Sequence, residues 1–192
     1  MANKITYLMN NLPVLETQRL LLRSLNLNDA VDIFEYAADP QVSQYATWSA
    51  HQSINQSKQF IESVIAQYRN HQLAAWGIVC KADNKVIGTC GFTNWIATAR
   101  RAEIGYALSS KYWGQGYMPE AVRLLFGFGF CLMKLNRIEA KCVIANTASA
   151  RVMEKVGMQF EGILRQDLLA KGSFYDVKIY SILKQDWQTN CK

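Results

Sequence analysis

The 192-residue chain is poor in the residues that build metal centres and disulfide frameworks. It has two histidines, His51 and His71, with no ligand-type spacing around either. Its five cysteines (Cys80, Cys90, Cys131, Cys142 and Cys191) are scattered, odd in number and without a CxxC pair. Neither a metal nor a disulfide scaffold is expected, and reduced thiols in the cytoplasm fit this usage. The first residues, MANKITYLMNNLPVLE, hold no continuous apolar stretch of the kind that marks a secretory signal. The longest apolar run, LLFGFGFCLM, falls well short of the ~20 residues that span a bilayer, and Arg123 and Lys134 flank it. No membrane partner is expected. Internal repeats, linkers and low-complexity tracts are also missing, which excludes a solenoid or a string of small modules.

What is present is enough for one core. Half of the residues are hydrophobic and 11% are aromatic, in a length that suits a single domain. The formal charge of +6 would suit an anionic ligand, an acidic partner or nucleic acid, and selects none of them. No RRM, KH or double-stranded-RNA signature accompanies it, so a nucleic-acid partner is not expected.

Periodicity gives the order of elements. Arg19–Ser24 reads as a strand. Asn28 can cap a helix over Asp29–Ala38, with Val31, Phe34 and Ala38 on one face. Ile54–Arg69 has helical spacing at Ile61, Val64, Ile65 and Tyr68. Leu73–Lys81 and Val86–Trp95 read as an antiparallel hairpin, and Ala102–Ser109 as a further strand. A long helix then runs to about Met133, with Val122, Leu125, Phe126, Phe130 and Met133 as its buried stripe. Arg137–Ile144 alternates as a strand. Ala148–Val156 is a helix closed by Gly157. Gln159–Ala170 and Phe174–Leu183 form a last hairpin with Lys171-Gly172-Ser173 at its tip. The result is one mixed α/β domain over residues 15–192, with residues 1–14 as a loosely held extension.

One stretch carries chemistry. Lys111–Leu125 reads KYWGQGYMPEAVRLL, a strand-to-helix junction with two glycines. The first turn of a helix has unpaired N–H groups at the positive end of its dipole. Gly114 and Gly116 remove the Cβ atoms that would hold a phosphate away from those amides. The Walker and dinucleotide fingerprints both fail here, because Gly-Lys-Ser/Thr is absent and Pro119 stands where the third glycine would be. A tight turn with no ligand remains an equal reading of this stretch by itself.

A second motif follows some thirty residues later, NTASARVMEKVGM over Asn146–Met158. WGQGYMPEA and this motif together resemble the GNAT superfamily of acetyl-CoA-dependent N-acetyltransferases. LETQRLLLR near the start and the strand EIGYAL resemble its RimJ/RimL-like branch, which includes acetyltransferases of ribosomal-protein N-termini. The resemblance runs from Leu15 to Trp187. It implies a central, mostly antiparallel sheet splayed between two parallel strands, with helices on both faces. It implies acetyl-CoA as co-substrate and no metal. The loop from Trp113 through Gly114, Gln115, Gly116 and Tyr117 to Met118 matches the family's diphosphate loop. Two positions depart from it: Trp113 replaces Gln/Arg and Met118 replaces a small residue. Pro119 lacks an amide as well.

By the same resemblance, Tyr106, Ala107 and Leu108 pair their backbone with pantetheine, and Asn146 contacts that arm as well as capping its helix. Glu103 is the expected base, and a strand-edge ion pair with Arg100 or Arg101 is its bland alternative. Ser149 is the expected proton donor to the departing thiolate, with Tyr175 and Tyr180 as other C-terminal candidates. Arg151 or Lys155 could reach the coenzyme's 3′-phosphate. Tyr45, Trp48, Trp95 and Phe174 are candidates for the acceptor wall.

The chemistry asks for an amine that loses a proton and attacks a thioester in a ternary complex. The implied acceptor is a protein α-amine, ribosomal in that branch. A small amine, or a non-catalytic acyl-CoA sensor, are the rival readings. Monomer and homodimer are both compatible.

Overall fold

A computed structural model describes residues 12–70, 72 and 74–187. The sheet has eight strands: β1 (Leu15–Glu16), β2 (Leu20–Arg23), β3 (Ala75–Cys80), β4 (Lys85–Ile96), β5 (Arg101–Leu108), β6 (Arg137–Val143), β7 (Gln159–Ala170) and β8 (Ser173–Leu183). Their order is β1-β2-β3-β4-β5-β6-β8-β7. Every neighbouring pair is antiparallel except β5 with β6. The helices are α1 (Ala30–Ala37), the short α2 (Pro40–Ser43), α3 (Ile54–Arg69), α4 (Tyr117–Gly127) and α5 (Thr147–Lys155).

Each face of the sheet has its own core, which is why helices cover both. One face packs α4 and α5 through Val122, Leu125, Phe126 and Met153. The other packs α1 and α3 through Ile33, Tyr36, Ile61 and Val64. The expected stripe on the long helix is buried throughout. Its last part departs from α geometry: Phe128–Leu132 is a π-type turn. Gly129 packs closely on β6 there, where an added Cβ would lie 2.8 Å from Ile138 Cδ1.

Some local expectations are corrected. Asn26, not Asn28, is the capping residue, and it caps the single 3-10 turn Leu27–Asp29 that leads into α1. Asn26 Oδ1 accepts from the Asn28 amide at 3.0 Å, and its own amide donates to Asp29 Oδ2 at 2.9 Å. Asp29 is buried, with both oxygens on Arg23 at 2.8 and 2.7 Å. That fork fixes the turn and starts the helix after it. The face of α1 rotates accordingly: Ala30, Ile33, Tyr36 and Ala37 are buried and Val31 is 62% exposed. The first hairpin strand begins at Ala75, and Leu73 lies outside the described residues, as do residues 1–11 of the expected extension. Cys80, Cys90 and Cys142 are free and buried, whereas Cys131 is disulfide-bonded, against the expectation of reduced thiols. Among the described residues no helix is long and apolar enough to cross a membrane, and no His/Cys/Asp/Glu cluster could hold a metal.

Candidate active site

The parallel pair β5–β6 holds together at three positions only: Arg101 with Arg137, Ala102 with Ile138 and Glu103 with Glu139. Beyond Glu103 the strands part. The other edge of β5 stays paired with β4, but on this side the rest of β5 faces a cleft instead of a strand, and polar groups in such a gap call for a ligand strand or water. Two cavities of about 690 Å³ and 230 Å³ lie here. They share the wall made by Tyr106, Ala107, Trp113, Asn146 and Ser149.

The smaller cavity is the glycine loop. Gly114 and Gly116 have φ of +74° and +81°, values that favour glycine. A Cβ at Gly114 would meet nothing within 4 Å, and one at Gly116 would come no closer than 3.7 Å, to Arg19 Nη2. The glycines are therefore not there to avoid a clash with protein. Helix α4 starts directly after Gly116 with no side-chain cap, which leaves the amides of its first turn without a side-chain partner, and Gly116, Tyr117 and Met118 line the cavity there. These residues fit a phosphate ester bound by backbone.

Nearly every expected coenzyme residue is at the cleft: Tyr106, Ala107, Leu108, Trp113, Gly114, Gly116, Tyr117, Met118 and Asn146 all line it. Gln115 lines neither cavity. It is turned the other way, with its backbone carbonyl accepting from Arg19 Nη1 at 3.2 Å and its side-chain Nε2 donating to the Lys111 carbonyl at 2.9 Å. The Trp113 indole donates to the Leu108 carbonyl at 2.8 Å, which occupies the acceptor at the end of β5. Asn146 caps α5, its Oδ1 accepting from the Ser149 amide at 3.0 Å.

Side chains alternate along β5, so its two faces carry different chemistry. Tyr106 points toward α5, where its hydroxyl lies 2.9 Å from Ser149 Oγ and donates to the Ser149 carbonyl at 3.2 Å. Burial pushes the Tyr106 phenol well above its ordinary range, although the Ser149 bond works against that. Glu103 lies on the opposite face, beside a bulge at Thr93 that lets β4 bend between Phe92 and Asn94. Burial lifts the Glu103 pKa; Lys141 opposes this, while Glu139 and Asp167 add to it. Its cationic neighbour is Lys141 at 4.0 Å, not Arg100 or Arg101. Lys141 is itself held by Asp167 at 2.8 Å.

The acceptor side of the larger cavity is walled by Tyr45 and Trp48 and by Asp167, Leu168 and Val177 of the last hairpin. Trp95 and Phe174 do not reach it, and Phe174 is 63% exposed. A bulge in β7 between Leu164 and Leu168 brings Asp167 to this wall, pinned by the Gln166 amide on Asp176 Oδ1 at 2.9 Å. Lys171, at the turn of the hairpin, donates to the Ser43 carbonyl at 2.6 Å and ties the two walls together. Tyr175 and Tyr180 do not line the cleft, and the Tyr180 hydroxyl is engaged by Glu154 at 3.0 Å. Neither Arg151 nor Lys155 lines the cleft. Cys90 and Cys142 do, with thiols raised by burial. Sequence reading missed the Tyr106 hydroxyl, Lys141, Asp167 and Lys171. Strand alternation pointed Tyr106 away from Glu103, but nothing local marked the other three.

Comparison with known proteins agrees with this geometry. The family model described as "Acetyltransferase (GNAT) domain" matches residues 19–159. The p20 protein of Bacillus licheniformis, named as an uncharacterized N-acetyltransferase, is 38% identical over 90% of this chain and 97% of its own. YdaF of Bacillus subtilis, named provisionally as a ribosomal N-acetyltransferase, is 30% identical over 66% of this chain and 70% of its own. The crystal structure of a GNAT-family acetyltransferase from Bacillus anthracis superposes with a TM-score of 0.80 at 28% identity, covering 90% of this chain and 99% of that one. The splayed parallel pair, the glycine loop ahead of α4 and a family match over most of the described sheet lead to one conclusion: this chain belongs to the GNAT acetyltransferases and is an N-acetyltransferase.

Proposed function

We propose that the chain transfers the acetyl group of acetyl-CoA to a primary amine by direct attack, within one catalytic domain that starts near Leu15 and works in the cytoplasm. The observation that carries this reading is the division of labour across β5. Glu103 stands on one face, and the Tyr106–Ser149 hydroxyl pair on the other. The amine enters as ammonium and loses a proton to Glu103, directly or through water. Its nitrogen then forms a bond to the thioester carbonyl carbon, and the C–S bond breaks. The nitrogen sheds its second proton to water as the tetrahedral adduct collapses, the thiolate takes a proton delivered by Ser149, and solvent restores the Tyr106–Ser149 pair and carries away the proton held by Glu103. A carboxylate with a raised pKa is a better base for this task than an exposed one. The amides of Gly114, Gly116, Tyr117 and Met118 bind the diphosphate, and the β5 edge over Tyr106–Leu108, which has no strand beside it on the β6 side, pairs with the pantetheine arm.

For the acceptor, a protein α-amine of the RimJ/RimL type has support from the provisional name of YdaF. An α-amine near pKa ~8 also asks less of Glu103 than a side-chain amine near ~10. A small amine is the second reading, and the Lys171 strap across the acceptor walls favours it, because a wide groove would suit a peptide better. In both cases the negative charge of Glu103, which Lys141 only partly meets, suits a cationic acceptor.

Release of free thiol from acetyl-CoA should be measured across N-terminal peptides, polyamines and amino acids. Glu103→Gln should lower kcat about 10²- to 10⁴-fold, the usual worth of a general base, with acetyl-CoA affinity nearly unchanged. Undiminished turnover would remove Glu103 from the mechanism.

A further inference from the structure

The stretch LETQRLLLR contributes to the resemblance, yet acetyl transfer as described makes no use of it. The fold brings it to the glycine loop. Arg19, in the turn between β1 and β2, reaches helix α4 across 101 residues of sequence. Its Nε donates to Glu120 Oε2 at 2.8 Å and its Nη2 bonds the same oxygen. Its Nη1 donates to the Gln115 carbonyl at 3.2 Å. The guanidinium lies 4.4 Å above the Tyr117 ring. Thr17 completes the arrangement. Its hydroxyl oxygen accepts from the Leu20 amide at 2.9 Å and donates to Glu120 Oε1.

Glu120 is the awkward member. A carboxylate in the first turn stabilises a helix, because it meets the positive end of the dipole. It also competes with any other anion for that same potential. Burial by itself would raise the Glu120 pKa, but the bonds from Thr17 and Arg19 keep it below the usual range, so it stays charged. A diphosphate at the Gly116 amides would then arrive beside a negative group. Only a paired cation makes that combination tolerable, and Arg19 is the paired cation, with a planar fork that lysine lacks.

We propose that Arg19 is a positioning residue for the coenzyme. With Thr17 as its brace, it neutralises Glu120 and holds the Gln115 carbonyl turned away, so that the loop offers amides and not oxygen atoms to the phosphates. This rests on reading Gly114–Met118 as the diphosphate site. It assigns a task to the N-terminal motif: Arg19 and Thr17 set the coenzyme loop and touch neither acceptor nor acetyl group.

The test is calorimetry of the full-length chain with coenzyme A, alongside turnover of acetyl-CoA and of acetyl-pantetheine, which lacks the diphosphate. Arg19→Ala should weaken coenzyme A binding about tenfold, a reasonable loss for one charge-assisted fork. The acetyl-CoA KM should rise with kcat nearly constant, and the loss should shrink to less than about twofold for acetyl-pantetheine. Arg19→Lys should fall between wild type and Arg19→Ala. Removing the uncompensated carboxylate should repair part of the damage, so that Arg19→Ala/Glu120→Ala binds more tightly than Arg19→Ala alone. A double variant no better than the single one overturns the proposal, and so does an equal loss for both thioesters, which would mark a merely structural residue. A wild type that binds no coenzyme A sinks the diphosphate reading and this proposal with it. A wild type that binds, beside an Arg19→Ala variant that binds equally well, overturns this proposal alone.

Discussion

Alanine at Gly116 and alanine at Gly172 should damage the fold alike and the coenzyme site very differently. Both glycines sit in the left-handed region, at φ of +81° and +79°. Neither would meet a close protein atom through an added Cβ: the nearest is 3.7 Å away at Gly116, and nothing lies within 4 Å at Gly172. The cost of each substitution is then the backbone penalty of a side chain in that region, about 1–2 kcal/mol. For a domain of this size, each kcal/mol lowers the melting temperature by roughly 2–4 °C, so both variants should melt about 2–8 °C early. Coenzyme binding separates them. Gly172 belongs to the turn of the last hairpin, away from the loop, whereas Gly116 is the residue before α4 and lines the smaller cavity. A methyl group there moves the phosphate off the amides. Loss of about 1.4 kcal/mol, or tenfold in Kd, is a modest expectation for one displaced charged contact. Calorimetry and thermal melts on the two variants and the parent suffice. Equal coenzyme affinity in all three would refute the amide cradle, and an unchanged melting temperature in either variant would refute the strain.

Two further outcomes follow from the acceptor end and from the sheet. Lys171→Ala removes the strap on the Ser43 carbonyl, and the turnover of an N-terminal peptide relative to a small amine should rise severalfold; an unchanged ratio would show that the strap does not select the acceptor. Glu161 is held down to about 2 by the two hydrogen bonds it accepts from Arg137, with the Ser181 hydroxyl also helping and burial opposing. A depressed carboxylate pKa stabilises the fold above the unfolded value near 4.5, and this is lost as pH falls toward 2. The pair is partly exposed, so screening leaves about 1 kcal/mol. Melts from pH 6 to 2 should therefore fall more steeply for the parent than for Glu161→Gln, and parallel curves would remove this contribution.

The sequence by itself determined most of the elements and the glycine-bearing turn ahead of α4. Apolar spacing at Val122, Leu125 and Phe126 sets a helix face regardless of what it packs on. The glycines ahead of Tyr117 announce a left-handed entry to that helix, because few other residues accept it. Asn146 and Gly157 bound α5 through bonds made within a few residues. Such signals are local, and local chemistry is written in order along the chain. Tertiary structure decided the rest. Glu103 faces Lys141 and Asp167, which stand 38 and 64 residues further on, instead of the adjacent arginines. Arg19 meets Glu120 because β2 and α4 pack on one face of the sheet. A charge chooses its partner by distance in space, and a strand pairing or a bulge sets that distance, so only the folded chain could decide which acids and bases share the cleft.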